Sequence, residues 1–304
     1  MNNLIEVSGL SKSYGGVLAV DRATWAVPQG SITGLLGPNG AGKTTSLKLL
    51  MGLTSPTHGL ARVGRYDIVS QSLQVRHVAA YVPEDKVLYD RMRACDFLRF
   101  YCGFSREWDE EKARKLCVEW QLPWQKKLGA YSKGMRGRLI LAAALVRNPL
   151  VLLLDEPTDG LDPEGIEQVL QQLAVWVGGG AKSVLISTHR LDEVERICDR
   201  VILMNQGRIL IEGELDDIRA SHKLIQVIGN VPEPELDNWP ELAGWQREGK
   251  ILRIRTHSSP EAVFERLRSY SPSHLEMLDM NLREIYLTRV GRAGGDHVAV
   301  EELV

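Results

Sequence analysis

Nine consecutive residues constrain this chain more than any other feature: Gly37-Pro-Asn-Gly-Ala-Gly-Lys-Thr-Thr45. They fit the pattern G-x-x-x-x-G-K-[S/T] in full. They follow a run with strand character, Ile32 to Leu36, and lead into apolar residues at helical spacing (Leu47, Leu50, Met51) closed by Gly52. That strand–loop–helix context distinguishes a phosphate-binding loop from a glycine turn with a chance lysine. Gly37, Gly40 and Gly42 let the backbone wrap tightly and aim N–H groups at phosphate oxygens. A helix starting near Lys43 adds its positive end. The Lys43 ammonium reaches the β- and γ-phosphates, and the Thr44 hydroxyl can ligate Mg2+. A superficially similar stretch, Gly178 to Ser183, has Ala181 where the glycine before the lysine should be and precedes a strand, so it reads as a plain helix-to-strand loop.

A second signal is Leu150 to Leu154 running into Asp155 and Glu156. Two carboxylates at the C-terminal end of a buried strand stand where parallel α/β sheets place their ligands. Beside phosphate, acids need a cation, and Mg2+ supplies the reason for them: Asp155 would hold the ion or its waters, leaving Glu156 to orient or deprotonate an attacking water. Between this strand and the next (Val184 to Ser187), Asp162 is a candidate helix N-cap. Pro163 suits the first helical position, and Ile166, Val169, Leu170, Leu173 and Val177 form one apolar stripe. The alternation implies a parallel sheet covered by helices.

With 304 residues, two domains are expected. Further short strands are expected at Leu4 to Val7 and Thr24 to Val27, and a hairpin turning at Gln206-Gly207. From about Asp85 to Asn148 the pattern reads as a mostly helical insert in which Trp108, Trp120 and Trp124 serve packing or subunit contact and Asp109-Glu110-Glu111 opens a helix. Residues 222–290 read as a small α+β appendage, with a strand in KILRIRTH and helices in PEAVFERLRSY and NLREIYLTRV. Residues 291–304 read as a flexible tail. Thirty-seven Lys and Arg against 39 Asp and Glu give a net charge of −2, which argues against a protein built mainly to neutralise nucleic acid. Four cysteines without C-x-x-C spacing make a disulfide framework or zinc site unexpected. No apolar run approaches the ~20 residues of a membrane span.

The order of motifs from Tyr14 to His189, above all YSKGMRGRLILAAALVRNP followed by LLLDEPTDGLDP, resembles the ATPase subunits of ATP-binding cassette (ABC) transporters over roughly the first 220 residues. The resemblance implies an α/β P-loop NTPase core with the helical insert and an N-terminal antiparallel β subdomain, in a cassette spanning 1–221. It implies ATP contacts from Gly37, Asn39, Gly40, Ala41, Gly42, Lys43, Thr44 and Thr45, with adenine stacked on Tyr14. Asp155 is then the metal-side aspartate, with Thr44 and Glu84 as further metal-side groups. Glu156 is the catalytic glutamate, acting with Lys43, and His189 the switch histidine that contacts the γ-phosphate.

Where the family usually has LSGGQ, this chain has Tyr131-Ser132-Lys133-Gly134-Met135. Ser132 and Gly134 are kept, and the resemblance implies that they dock on the γ-phosphate held by a second copy, with Asp162 in the loop that touches that copy. Glu84 in Tyr81-Val-Pro-Glu84 stands where Gln is usual. Both departures resemble exporter-type cassettes that work with separate permeases. The implied protein is an ATPase needing ATP and Mg2+, closing head-to-tail with a second copy at the cytoplasmic face of the membrane, beside integral-membrane permease subunits and no nucleic acid. Two other classes stay open on the residues alone: an ATPase acting on ribosomes or DNA, and a module that senses nucleotide without hydrolysing it.

Overall fold

The computed structural model describes residues 2–103 and 109–293. The chain divides into two compact units, Met1–Ile209 and Leu210–Val304.

The first unit opens with β1 (Asn3–Tyr14) and β2 (Val17–Pro28), an antiparallel hairpin turning at Gly15-Gly16, both with positive φ. Next come β3 (Ile32–Leu36), α1 (Lys43–Leu50), β4 (His58–Val63), β5 (Tyr66–Asp67), α2 (Ser72–Val78) and β6 (Ala79–Val82). The expected helical insert contains α3 (Ala94–Cys102), α4 (Glu110–Glu119) and α5 (Lys133–Val146). Alternation then resumes with β7 (Val151–Asp155), α6 (Pro163–Val177), β8 (Ser183–Thr188), α7 (Leu191–Ile197) and β9 (Arg200–Asn205). β10 (Arg208–Glu214) contains the division between the units.

Two sheets share one core. β2, β1, β4 and β5 pair antiparallel in that order, the antiparallel β subdomain of the sequence reading. β9, β3, β8, β7 and β6 lie side by side and parallel. Every residue of β3, β7 and β8 is buried, as expected where helices cover both faces of a parallel sheet. Ile5, Leu10 and Trp25 of the antiparallel sheet meet Leu47 and Leu50 of α1 and Leu35, Leu153 and Leu185 of the parallel sheet. Helix ends follow the sequence: Asp162 Oδ1 accepts the Gly165 N–H at 3.1 Å, Pro163 opens α6, and Ile166, Val169, Leu170, Leu173 and Val177 are all buried. Asp109 caps α4 through the Lys112 N–H at 2.9 Å. Trp120 is buried and Trp124 carries the Arg114 guanidinium over its ring, whereas Trp108 lies outside the described residues. Gln206 and Gly207 both have positive φ, the backbone of a two-residue hairpin turn.

The second unit continues with α8 (Leu215–Ser221), β11 (Lys223–Ile228), α9 (Glu233–Leu236), β12 (Leu242–Glu248), β13 (Ile251–Thr256), α10 (Pro260–Arg268), β14 (His274–Asp279) and α11 (Leu282–Ala293). The boundary expected at 221/222 falls at the end of α8, twelve residues after the division between the two units. Its sheet is antiparallel in the order β12-β13-β11-β14. Ile225, Val227, Leu252 and Ile254 on one face pack with Val263 and Leu267 of α10 and with Trp239. The alternating KILRIRTH run is β13, and both expected helices form; most of the tail expected at 291–304 lies outside the described residues.

His222 is buried between α8 and β11. Its Nδ1 lies 2.8 Å from the Ile218 carbonyl, which can only accept, so Nδ1 carries the proton; Nε2 accepts from Arg289 at 3.1 Å. Burial pushes the imidazole below its ordinary pKa, and the Arg289 charge pushes the same way. A depressed value means that the unfolded chain binds the extra proton first. The contribution is therefore complete above the ordinary histidine value of about 6.5 and is lost as pH falls below it. Amide-exchange protection in β11 of the full chain should weaken as pH falls from 7 to 5.5, and the His222→Gln chain should lose most of that dependence.

Candidate functional site

Register assembles the site. In the parallel sheet Leu36 is opposite Thr188, and Ser187 is opposite Asp155. The carboxyl ends of β3, β8 and β7 are therefore level, and the residues just past them (Gly37, His189 and Glu156) emerge along one edge. β6 adds Pro83 and Glu84, because Val82 pairs with Leu154. This is the edge at which parallel α/β sheets bind ligands.

The phosphate-loop residues Pro38 to Thr45 line a cavity of about 500 Å3 together with Ala19, Glu84 and Glu156. Gly37 and Gly42 cannot carry side chains. A Cβ on Gly37 would lie 2.2 Å from the Met204 carbonyl oxygen, and one on Gly42, at φ 107°, 2.3 Å from that of Ala19. Lys43 is buried, and its ammonium donates to the carbonyls of Gly37 (2.6 Å) and Pro38 (3.2 Å) and lies 3.9 Å from Glu156 Oε1. Burial lowers its pKa, and the charges of Glu156, Asp155 and Glu84 oppose that.

Asp155 is held by three donors. Thr44 Oγ1 donates to Oδ1 at 3.1 Å, Ser187 Oγ to the same oxygen at 2.5 Å, and the Tyr81 hydroxyl to Oδ2 at 3.0 Å. Burial, and after it the Asp155 carboxylate, drives the Tyr81 pKa far above its ordinary value, so Tyr81 stays a donor. Glu156 has a left-handed backbone, φ 46°, unusual for a side chain of its size; its N–H donates to the Ser187 carbonyl, and Oε1 lies 3.0 Å from His189 Nδ1. An ionised carboxylate only accepts, which places the proton on Nδ1. Glu84 sits among acids: burial raises its pKa, and Asp155 and Glu156 raise it further. Together these groups make a cradle of backbone and ammonium facing a row of carboxylates.

Thr44 Oγ1 and Asp155 Oδ1 are hard oxygen donors side by side, the chemistry Mg2+ prefers. Among the described residues no group of three or more His, Cys, Asp or Glu could hold a metal alone.

The other expected site residues lie elsewhere. Tyr14, half exposed at the end of β1, has the Lys12 ammonium 4.9 Å from its ring centre, a cation on the face expected to stack on adenine. Ser132 is the N-cap of the 14-residue α5: it is exposed and accepts the Met135 N–H at 3.1 Å. Gly134 packs against the loop before α6, where a Cβ would lie 2.9 Å from the Gly160 carbonyl oxygen. Asp162 caps α6.

Sequence reasoning assigned no role to Ser187, the hydroxyl of Tyr81, Asp159 or Lys86. Lys86 is buried and donates to the Asp159 carbonyl at 2.6 Å, and Lys133 pairs with the Asp159 carboxylate at 2.7 Å. Ser187 could have been found from its place two residues before His189 on the neighbouring strand. Nothing local in the sequence marks Lys86.

Residues 20–159 match the family model described as "ABC transporter". An uncharacterised ABC transporter ATP-binding protein of Bacillus subtilis is 34% identical over 86% of this chain and 86% of its own length. The Nod factor export ATP-binding protein I of Sinorhizobium fredii is 32% identical over 95% of this chain and 86% of its own. Among solved structures, an ATP-binding subunit of an ABC transporter superposes with TM-score 0.67 at 33% identity, covering 71% of this chain and 92% of that one. A dimeric cassette bound to ADP and Pi shares the fold, with TM-score 0.63 at 23% identity, covering 69% and 98%.

The loop glycines make a graded prediction. Gly40 has φ 77° but open space around it, whereas Gly42 combines positive φ with a carbonyl in the way. Gly42→Ala should lower the thermal midpoint clearly more than Gly40→Ala, and differential scanning calorimetry of the two variants checks this ranking.

Proposed function

The chain belongs to the ATP-binding subunits of ABC transporters, and from that membership we propose how its residues carry out the work. The subunit binds and hydrolyses ATP to power transport through a separate permease. No helix among the described residues is long and apolar enough to cross a membrane.

The observation that carries the assignment of roles is Glu156: a carboxylate at the rim of the phosphate-loop cavity, fixed by a left-handed backbone and bonded to His189 at 3.0 Å. Lys43 and the loop from Gly37 to Thr45 bind the β- and γ-phosphates, with adenine at Tyr14, displacing Lys12 from the ring face. Thr44 and Asp155 fit a Mg2+, with Glu84 near it. The ion, when bound, neutralises phosphate charge as the terminal bond breaks. Glu156 orients the attacking water and accepts its proton. His189, bonded to Glu156 through Nδ1, is the residue that contacts the γ-phosphate, which it can do as a donor only with Nε2 also protonated. Raised pKa values at Glu84 fit a group whose charge is tolerated once a cation is close.

The exposed Ser132 cap and the N-terminal end of α5 present hydrogen-bond donors and a positive dipole to an anion. In the proposed cycle two copies close head-to-tail, each offering Ser132 and Gly134 to the other's γ-phosphate, with Asp162 in the facing loop. Hydrolysis removes the bridging phosphoryl group and the pair reopens. The relatives named for Nod factor export support an export direction, and the proposed permease partner would hold the subunit peripherally at the cytoplasmic face of the membrane.

Two substitutions test these roles. Glu156→Gln should lower turnover by about 10²–10⁴-fold while preserving ATP binding. With ATP and Mg2+ it should sediment as a dimer; monomer alone at saturating nucleotide would contradict the two-copy cycle. Lys43→Ala should weaken ATP affinity by about tenfold or more, since a charge-assisted contact to phosphate is lost, and titration with a fluorescent ATP analogue measures it.

A further inference from the structure

The turn that carries Glu156 has an unusual support. Glu156-Pro157-Thr158-Asp159 leaves β7 through a left-handed residue and closes with the Asp159 N–H donating to the Glu156 carbonyl at 3.2 Å. Such a backbone is held only when its surroundings over-determine it. Beneath it lies Lys86, from the segment between β6 and α3. It is only 7% exposed, although lysine is rarely buried without a partner. Its ammonium donates to the Asp159 carbonyl at 2.6 Å and reaches the Glu156 carbonyl at 3.5 Å. Among the described residues it makes no carboxylate salt bridge; its hydrogen-bond partners are the two ends of the turn.

The neighbouring helix is shaped around this lysine. Gly137 lies in the interior of α5, where glycine weakens a helix relative to alanine. A Cβ there would lie 3.0 Å from Cδ and Cε of Lys86 and 3.2 Å from Nζ. On the same helix Lys133 grips the Asp159 carboxylate at 2.7 Å. Asp159 is thus held through its carbonyl by Lys86 and through its side chain by Lys133.

We propose that Lys86 is a positioning residue for hydrolysis: its buried ammonium, seated against Gly137, pins the carbonyls of Glu156 and Asp159 and so fixes the backbone from which the Glu156 carboxylate faces the nucleotide. It is not among the residues that line the phosphate-loop cavity. It acts by keeping Glu156 within reach of the γ-phosphate, where a displacement of about 1 Å is expensive in rate. It also joins three elements, because the segment after Glu84, the turn after β7 and the Ser132 helix meet at one ammonium. The inference rests on Glu156 being the catalytic carboxylate.

The test is single-site kinetics on the full chain. Lys86→Met keeps the length and removes the charge; it should lower kcat by about tenfold or more with ATP Kd within about twofold of wild type. Lys86→Gln retains one donor and should fall between the two. Gly137→Ala, which leaves the lysine in place but crowds its stem, should also slow turnover. Combined with Lys86→Met it should add little, since both act on one contact. A general structural role would lower thermal stability and ATP affinity together with kcat, and that pattern overturns the proposal. So does a kcat within twofold of wild type in Lys86→Met, or additive effects in the double variant. If Lys86→Met does not fold, Lys86→Gln and Gly137→Ala decide by the same kcat and Kd criteria. Glu156→Gln separates the two assignments. If it keeps full hydrolysis, the reading of Glu156 fails; if it abolishes hydrolysis while Lys86→Met and Gly137→Ala turn over normally, only the clamp fails.

Discussion

The structure is organised around a concentration of negative charge at the end of a strand that water does not reach. β7 is buried at every residue, yet it delivers Asp155 and then Glu156 to the sheet edge, with Glu84 arriving beside them from β6. Like charges in a poorly solvated place repel and are disfavoured by burial. The surroundings answer with donors and cations: Thr44, Ser187 and Tyr81 on Asp155, and Lys43 and His189 on Glu156. At Glu84, although the residue is exposed, partial burial and then the charges of Asp155 and Glu156 push the pKa above its ordinary value. Such a cluster is complementary to a divalent cation and a polyphosphate, and the phosphate loop supplies the opposite wall.

Much of this could be read in the chain because it depends on local spacing. The loop from Gly37 to Thr45 needs its glycines where the backbone turns, and the structure gives the reason at Gly37 and Gly42, where carbonyls of Met204 and Ala19 occupy the side-chain space. The Asp162 cap, the buried stripe of α6 and the Gln206-Gly207 turn are equally local. The three donors on Asp155 are not, because Thr44, Ser187 and Tyr81 come from α1, β8 and β6 and meet it only once the sheet has paired. Lys86 has no motif at all; its role follows from two carbonyls and a glycine far apart in sequence. In the appendage, β13 alternates clearly, whereas β11, β12 and β14 escaped notice. β14 has an edge position and little full burial, which blunts its pattern.

In the proposed cycle the turn after β7 links chemistry to movement. Between β7 and α6 the chain carries Glu156 at one end and Asp162 at the other, with Gly160 against Gly134 of the Ser132 helix. Lys133 of that helix binds the Asp159 carboxylate, and Lys86, seated against Gly137 of the same helix, binds the Asp159 carbonyl and reaches that of Glu156, so in the proposed cycle a shift of the helix is passed to the turn. Two rigid elements joined by charged hydrogen bonds are suited to two discrete arrangements, which a γ-phosphate can select and its loss can release.

The central claim is that the Asp155 carboxylate is there for a cation shared with the nucleotide. The most direct measurement is calorimetric titration of ATP with and without Mg2+, in the wild-type chain and in Asp155→Asn. Mg2+ should tighten ATP binding to the wild type and have little effect on the variant. Equal tightening in both proteins would contradict the account.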